Sequence, residues 1–261
     1  MGLITDKGSV HLHKEYEECD KYCPMHSDYV EPKPTFKPLL TAGIFSSNSE
    51  QFPGILELYV PPPARILDMT FGNGVFWKNV KAAVFAGDYM KDDDKPYIDT
   101  YYVYDNDIDP ERGFFSEDLT DLPDAWEEHF DAVILDPPYL LMGGIQTLKA
   151  SIDRGYKNKE REKNSKSGQI GAVERLYGGG IIQAHKVLKR SGILIIKCMD
   201  QVRGGQQQWL SHDIMDMCRI FGFRNEDMLV FVNKNRPTMR HETQKHARHN
   251  HSYWLVSRKR P

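Results

Sequence analysis

The apolar run Phe130-Asp-Ala-Val-Ile-Leu135 stops at Asp136-Pro137-Pro138-Tyr139, and nothing else in this 261-residue chain limits its fold so tightly. A short run of branched and aromatic residues bounded by a turn signal reads as a buried strand. Two consecutive prolines then remove the backbone N–H donors and stiffen the chain. That leaves only acceptors to face a pocket, the Asp136 carboxylate and the Pro137 carbonyl. The Tyr139 ring adds a face for stacking. Such a set can grip one amino group on a planar ring. The plainer reading is a strand that ends in a turn, because Asp-Pro is a common turn starter.

A second segment adds weight to the first. In Ala64-Arg-Ile-Leu-Asp68-Met-Thr70-Phe71-Gly72-Asn-Gly74-Val-Phe-Trp77, a short strand runs into an acid, a glycine turn and a helix. This is the first β–turn–α unit of a nucleotide-binding α/β sheet, where glycines let the backbone approach a ligand closely. The pattern is not Gly-x-Gly-x-x-Gly, which disfavours a dinucleotide pyrophosphate, and no Gly-Lys-Ser/Thr follows, which excludes a P-loop. An Asp four residues before the first glycine suits a cationic amine on the ligand, such as the amino-acid end of S-adenosylmethionine. Glycine turns after strands are ordinary, so the loop is weak evidence alone. With Asp136-Pro-Pro-Tyr139 it suits methylation of an amino nitrogen on a nucleobase.

Asp68-x-x-x-Gly72-x-Gly74 followed by Asp136-Pro-Pro-Tyr139 resembles the S-adenosylmethionine-dependent DNA amino-methyltransferases, which make N6-methyladenine or N4-methylcytosine. The cofactor-loop-first order looks like their alpha and gamma arrangements. The tail from Thr243 to Trp254 resembles the C-terminus of small phage and actinobacterial members, and the resemblance covers roughly residues 39–261. It implies a bound S-adenosyl-L-methionine held by Asp68, Thr70, Phe71, Gly72 and Gly74. It also implies a catalytic loop of Asp136, Pro137, Pro138 and Tyr139. The implied fold is α/β: a doubly wound, mostly parallel, seven-stranded Rossmann-like sheet with an antiparallel final hairpin.

Pattern along the chain agrees. At 40% hydrophobic, 261 residues can bury one large core, and α/β domains of this length are commonly undivided. A net charge of −3 gives no global pull toward polyanions, so nucleic-acid contact must come from local patches. Four cysteines are too few for a secreted disulfide scaffold, and neither a signal peptide nor a membrane-length apolar stretch is present. A soluble, cytoplasmic protein of a bacterial cell or phage-infected host is expected. Residues 1–38 are polar and rich in His and Pro, and read as a surface arm. Cys19, Cys23 and His26, with His11 and His13 upstream, lack the spacing of paired zinc knuckles, so no metal is expected.

Residues 39–261 read as one methyltransferase domain. A helix with short approaches is expected over 39–59, ending before Pro61-Pro-Pro63. Strands are expected at 65–69, 101–104, 131–135, 192–197, 228–232 and 252–256, with helices at 183–189 and 207–221. The stretch 140–180 is long for a connection and reads as a lid loop inserted after the catalytic strand.

In open α/β sheets an acid at the end of the second strand takes the ribose hydroxyls. Asp105 and Asp107 are the candidates, and Asp107 is favoured because Asp107-Ile-Asp-Pro110 resembles the family's usual turn out of that strand. Asp118 resembles the acid that accepts from the adenine amino group, although an N-cap role fits it or Asp121 nearly as well. Phe71 or Phe76 packs against the cofactor or simply joins the core. In the lid, Lys157 and Arg161 belong to a charged run that could touch phosphates. A denser basic tract holds Lys234, Arg236, Arg240, Lys245 and Arg248 with few matching acids, and reads as a phosphate-facing edge.

The target amine can reach a buried acceptor pair only if its base leaves the stack, so double-stranded DNA implies base flipping. Asp136 and the Pro137 carbonyl would then align the nitrogen for in-line transfer, adenine N6 being the favoured target, largely a positioning effect. Cytosine-C5 methylation needs a cysteine nucleophile. The only Cys-Pro pair, Cys23-Pro24, is remote from the catalytic strand and reversed in order. RNA guanine-N2 methylation is the nearest alternative. Protein-glutamine methylation is less well matched, since its enzymes usually carry Asn before the two prolines. An idle nucleic-acid-binding module on the same fold is the alternative from another class. With no separate target-recognition domain in the sequence, selectivity would come from loops, a homodimer partner, or be slight.

Overall fold

Alternation of branched apolar residues with glycine and acid turns produces one main sheet of eight strands. The computed structural model describes residues 3–4, 10–11, 40–44, 46–89, 99–137, 168–203, 206–232, 246–247 and 249–261. The sheet strands are β1 (Gly43–Ile44), β2 (Ala64–Asp68), β3 (Ala83–Phe85), β4 (Tyr101–Asp105), β5 (Phe130–Leu135), β6 (Leu188–Cys198), β7 (Phe223–Val232) and β8 (His251–Lys259). Their spatial order is β1-β7-β8-β6-β5-β2-β4-β3. Pairs β3–β4, β4–β2, β2–β5, β5–β6 and β7–β1 are parallel, while β8 runs antiparallel to both β6 and β7. The result is the expected mostly parallel seven-stranded sheet closed by an antiparallel hairpin, with the two-residue β1 added at one edge.

Helices cover both faces. On one face α1 (Asn48–Tyr59) supplies Phe52, Ile55 and Leu56 to a core with Ile66, Ala132, Ile134, Ile193, Ile195, Trp254 and Val256. A four-residue helix, α2 (Ala86–Tyr89), follows β3. On the other face α3 (Gly168–Val187) and α4 (Leu210–Ile220) pack Tyr177, Ile181, Ala184 and Ile214 onto Leu67, Val133, Leu135, Leu194 and Ile196. Successive residues of β2, β5 and β6 therefore feed opposite cores, as the pleat requires. Each fully buried aliphatic side chain contributes about 1.5–3 kcal/mol, which makes these central strands the rigid base of the site.

Several expectations are corrected here. The helix expected from residue 39 begins at Asn48, where Ser47 and Glu50 form a capping box, because Gly43–Ile44 pairs with β7 instead. The helix after the glycine turn is a 3₁₀ turn, Val75–Asn79. The stretch 140–180 is not all loop, since α3 begins at Gly168. The expected helix 183–189 is only its last part, and Leu188 already belongs to β6. Gly178, Gly179 and Gly180 disguise this helix in the sequence. A Cβ on Gly179 would sit 2.7 Å from Thr120, and one on Gly180 would sit 2.9 Å from the Leu135 side chain. The glycines let α3 lie close against β5, and this packing outweighs their poor helix propensity. Likewise α4 begins at Leu210, preceded by a small hairpin of Gln201–Arg203 with Gln206–Gln208.

By internal contacts the chain divides into Met1–Leu39 and Leu40–Pro261. Within the first unit Leu3–Ile4 pairs antiparallel with Val10–His11. Cys19, Cys23, His13 and His26 lie outside the described residues. Among the described residues no group of three or more His, Cys, Asp or Glu is placed to hold a metal, and no helix is long and apolar enough to cross a membrane.

Candidate active site

Strand register brings the two sequence motifs together. β2 and β5 are adjacent and parallel, with Asp68 beside Ile134, so the residues leaving β2 run alongside those leaving β5. Thr70 ties them: its N–H donates to Asp68 Oδ1 at 3.1 Å, and its hydroxyl accepts the Asp136 N–H at 2.7 Å. This positions the Asp136-Pro137 backbone, with Asp68 and Asp136 at the carboxyl ends of neighbouring strands. Open α/β sheets bind ligands at such strand ends.

Asp68 is 1% exposed, and Oδ2 accepts from the indole Nε1 of Trp77 at 2.8 Å. Burial drives its carboxyl up to about 7, against the two hydrogen bonds from Trp77 and Thr70 that favour the ionised form. Gly72 and Gly74 have φ of +59° and +60°, a conformation that costs a side chain strain and glycine little. The carboxylate of Asp107 holds the turn from beneath, accepting from the Gly72 N–H at 2.8 Å and the Asp109 N–H at 2.9 Å. Its sequence neighbour Asp105 accepts from the Phe114 N–H at 3.2 Å.

Asp136 follows the last residue of β5. Its Oδ1 is buried and makes no hydrogen bond, an acceptor that nothing in the described protein satisfies. Burial first, with the Asp68 carboxylate adding, pushes its carboxyl well above the usual range, and the Lys197 ammonium opposes them. Pro137 has no N–H, and its carbonyl lies 3.5 Å from the Tyr177 hydroxyl, which donates more closely to the Lys197 carbonyl at 2.8 Å.

Other sequence candidates fare differently. Phe71 stacks edge-on to Phe85 at 5.5 Å, and Phe76 meets Trp254 at 4.7 Å, so both rings belong to the α1-side core. Asp118 Oδ1 accepts from the Thr120 N–H at 2.9 Å and hydroxyl at 2.8 Å, a local cap on an exposed turn. The link from β4 to this segment is Asn106, fully buried, which accepts from the Glu117 N–H at 2.8 Å and donates to the Glu117 carbonyl at 3.0 Å. Pro138, Tyr139, Lys157, Arg161, Lys234, Arg236, Arg240, Lys245 and Arg248 lie outside the described residues.

Sequence reasoning missed Trp77, Asn106, Tyr177 and Lys197. Lys197 carried a visible signal: a lysine closing the apolar run Gly192-Ile-Leu-Ile-Ile-Lys197 is costly to bury without a purpose. Asn106 and Tyr177 gave none, because both act through tertiary contacts with distant backbone.

The raised Asp68 carboxyl has a consequence for stability. A carboxyl whose folded pKa exceeds its unfolded value holds its proton more tightly when folded, so stability falls as pH rises between 3.8 and about 7. The slope attributable to Asp68 reaches about 1.4 kcal/mol per pH unit within that window. Asp68→Asn cannot titrate, so urea midpoints of the variant minus wild type should climb across it. A difference independent of pH would show that Asp68 ionises as an ordinary carboxyl.

No protein-family model matches the chain, and no curated protein matches it. Among solved structures, a Thermus thermophilus protein assigned as a DNA modification methylase, complexed with S-adenosyl-L-methionine, is similar at 20% identity and a TM-score of 0.33. The match covers 55% of this chain and 52% of that one, so the chain spans about half the length of that structure. A SAM-dependent methyltransferase from Methanosarcina mazei matches at 10% identity and a TM-score of 0.40, over 79% and 97% of the two chains. The 1,6-didemethyltoxoflavin-N1-methyltransferase of Burkholderia thailandensis, with S-adenosylhomocysteine bound, matches at 13% identity and 0.41, over 82% and 79%. Likenesses this distant assign no role to this chain.

Proposed function

We propose that this chain transfers a methyl group from S-adenosyl-L-methionine to the exocyclic amino group of a DNA base, adenine N6 in the first instance, after the base is flipped from the duplex. One observation carries the reading: Asp136, at the head of Asp-Pro-Pro-Tyr, keeps a buried, unsatisfied acceptor oxygen beside the glycine turn of an adjoining parallel strand. A buried acceptor without a donor costs free energy, and a site built to hydrogen-bond an amino group explains its persistence.

The residues present fit the cofactor. Asp68 is an acid suited to a cationic amine, Gly72 and Gly74 admit close backbone approach, and Asp107 follows β4, the neighbour of β2, where an acid suits ribose hydroxyls. Bound S-adenosyl-L-methionine supplies an electrophilic methyl on a sulfonium. The chain would orient the target: the Asp136 carboxylate and Pro137 carbonyl would accept from the amino group and leave its nitrogen lone pair free to take the methyl, with S-adenosylhomocysteine leaving and one proton released from the nitrogen. Tyr139 stacks on the flipped base. Duplex DNA contacts come from Lys157 and Arg161 and from Lys234, Arg236, Arg240, Lys245 and Arg248.

Labelled methyl incorporation into duplex DNA, with Asp136→Ala alongside, tests the reading. Transfer by wild type and not by the variant supports it, and transfer to neither DNA nor RNA contradicts it. Cofactor affinity by calorimetry tests the loop separately. Asp107→Ala should weaken binding by about 1.5–3 kcal/mol, through lost charge-assisted hydrogen bonds and a loosened Gly72 turn. An unchanged affinity there, with a loss at Asp105→Ala, would move the ribose contact to Asp105.

The basic tract makes its own prediction. Duplex DNA affinity should fall with salt, the logarithmic slope steepening by about 0.9 for each phosphate neutralised. Arg240→Ala with Arg248→Ala should flatten the slope and weaken binding about equally on all sequences, because phosphate contacts carry no base information. A wild-type slope would remove these two side chains from the interface and leave Lys157 and Arg161 as the preferred contacts.

A further inference from the structure

Lys197 lies in the most apolar part of the sheet, on β6, and is 2% exposed. A buried ammonium is expensive unless a counter-charge or a dense set of weaker partners compensates it. Its Nζ donates to Asn48 Oδ1 at 3.0 Å and lies over the rings of Trp254 and Phe231, at 4.4 and 4.6 Å from their centroids. Asn48 is the first residue of α1, so the capped helix start and two aromatic faces aim the ammonium without neutralising it.

Register identifies what it is aimed beside. Leu135 pairs with Ile196 across the parallel β5–β6 ladder, so the next position of each strand sets Asp136 alongside Lys197. Both continue the side of the sheet that carries Ile134 and Ile195, the α1-side core, and Asp68 follows Ile66 on that same side. A row results across the carboxyl ends of three adjacent parallel strands: Asp68, Asp136, Lys197. Trp254, paired with Lys197 on its other side, closes the row.

Resting on the reading of Asp136 as the acceptor for the target amine, we infer that Lys197 is the positioning residue whose charge, set alongside Asp136 by the strand register, opposes protonation of that buried carboxyl and leaves more of it ionised than burial alone would allow. An ionised carboxylate can only accept. A protonated one presents an O–H that would compete with the incoming amine. The titratable groups acting on these two residues are Asp68 from β2, itself facing Asp107 and Asp105, and the Cys198 thiol next to Lys197 in β6, which burial keeps in its neutral form. Asn48 on α1 and the two rings are uncharged, so among the described residues Lys197 is the only cation acting on Asp136. Lys197 itself is drawn down to about 8 by burial, with Asp136 holding it up, so it carries its charge at neutral pH.

Carboxyl-carbon NMR titration of aspartate-labelled protein reads the carboxylate directly, whether or not a methyl acceptor is known. Asp136→Asn assigns its resonance. Lys197→Met should raise the Asp136 midpoint by at least one pH unit, about a tenfold loss of the ionised fraction on the acid side, and Lys197→Arg should restore most of it. The reciprocal measurement needs no change at Lys197: in Asp136→Asn, the lysine's own side-chain resonance should titrate at lower pH than in wild type. Midpoints that stay in place in both experiments would overturn the inference. Where methyl transfer is measurable, the acid limb of its rate should move up in Lys197→Met with KM for the cofactor unchanged. An unshifted limb would contradict it, whereas shifted NMR midpoints in a protein that transfers no methyl would contradict the functional reading alone.

Discussion

Asp136→Ala is expected to lower methyl transfer by about a hundred- to a thousand-fold or more, the range seen when one preorganised hydrogen-bonding group is removed from a site. S-adenosylmethionine affinity should stay within a few-fold of wild type. The two effects separate because Asp136 makes no bond to the glycine turn through its side chain. The bond that joins the loops is backbone N–H to Thr70 hydroxyl, which alanine retains. Truncation also relieves a carboxyl that burial holds in an unfavourable state, but it removes a negative charge that supports the buried Lys197 ammonium. Removing one member of a buried pair can cost about 3–5 kcal/mol, and Lys197, already drawn down to about 8, limits that loss by giving up its proton. Asp136→Asn keeps the volume and is the companion variant if alanine destabilises. Near-normal turnover by a folded variant would remove Asp136 from the chemistry.

Gly72→Val should nearly abolish cofactor binding while the protein still folds. At φ +59° a branched side chain is strained by about 1–3 kcal/mol, a sizeable but survivable fraction of a domain's stability. Space within the protein is not the obstacle, since the nearest atom to a Cβ there is the Thr70 carbonyl oxygen at 3.8 Å. The side chain would instead project into the volume a close-approaching ligand occupies. Gly74 is the less informative position, because its Cβ would collide with the Phe71 ring at 2.8 Å and confuse folding with binding. A thermal shift of a few degrees with calorimetric binding lost is the expected pattern. Binding retained in Gly72→Val would mean that the ligand lies elsewhere.

The parts of the site legible in the sequence are those encoded locally. The run into Asp136 and the turn after Asp68 each pair an apolar strand with proline or glycine chemistry, and both appear at the expected strand ends. α3 is obscured because three glycines suited to close helix–sheet packing look like a loop when read without the sheet beneath them. Two short strands, β1 and β3, carry too few residues for any periodicity and exist through pairing with β7 and β4. The Lys197–Asp136 adjacency depends on register between strands more than 50 residues apart, which no spacing rule reports. Asp107 shows the converse: its place after the second strand marks it in the sequence, and its bond to the Gly72 N–H adds a structural task to the ligand contact expected of it.

The central claim is that an amino nitrogen of a DNA base receives the methyl group. Purified protein incubated with labelled S-adenosylmethionine and either duplex DNA or ribosomal RNA, then digested to nucleosides, tests it directly. Label in N6-methyldeoxyadenosine, absent from Asp136→Ala reactions, is the predicted result. Label in N2-methylguanosine from the RNA, or in no nucleoside at all, would contradict it.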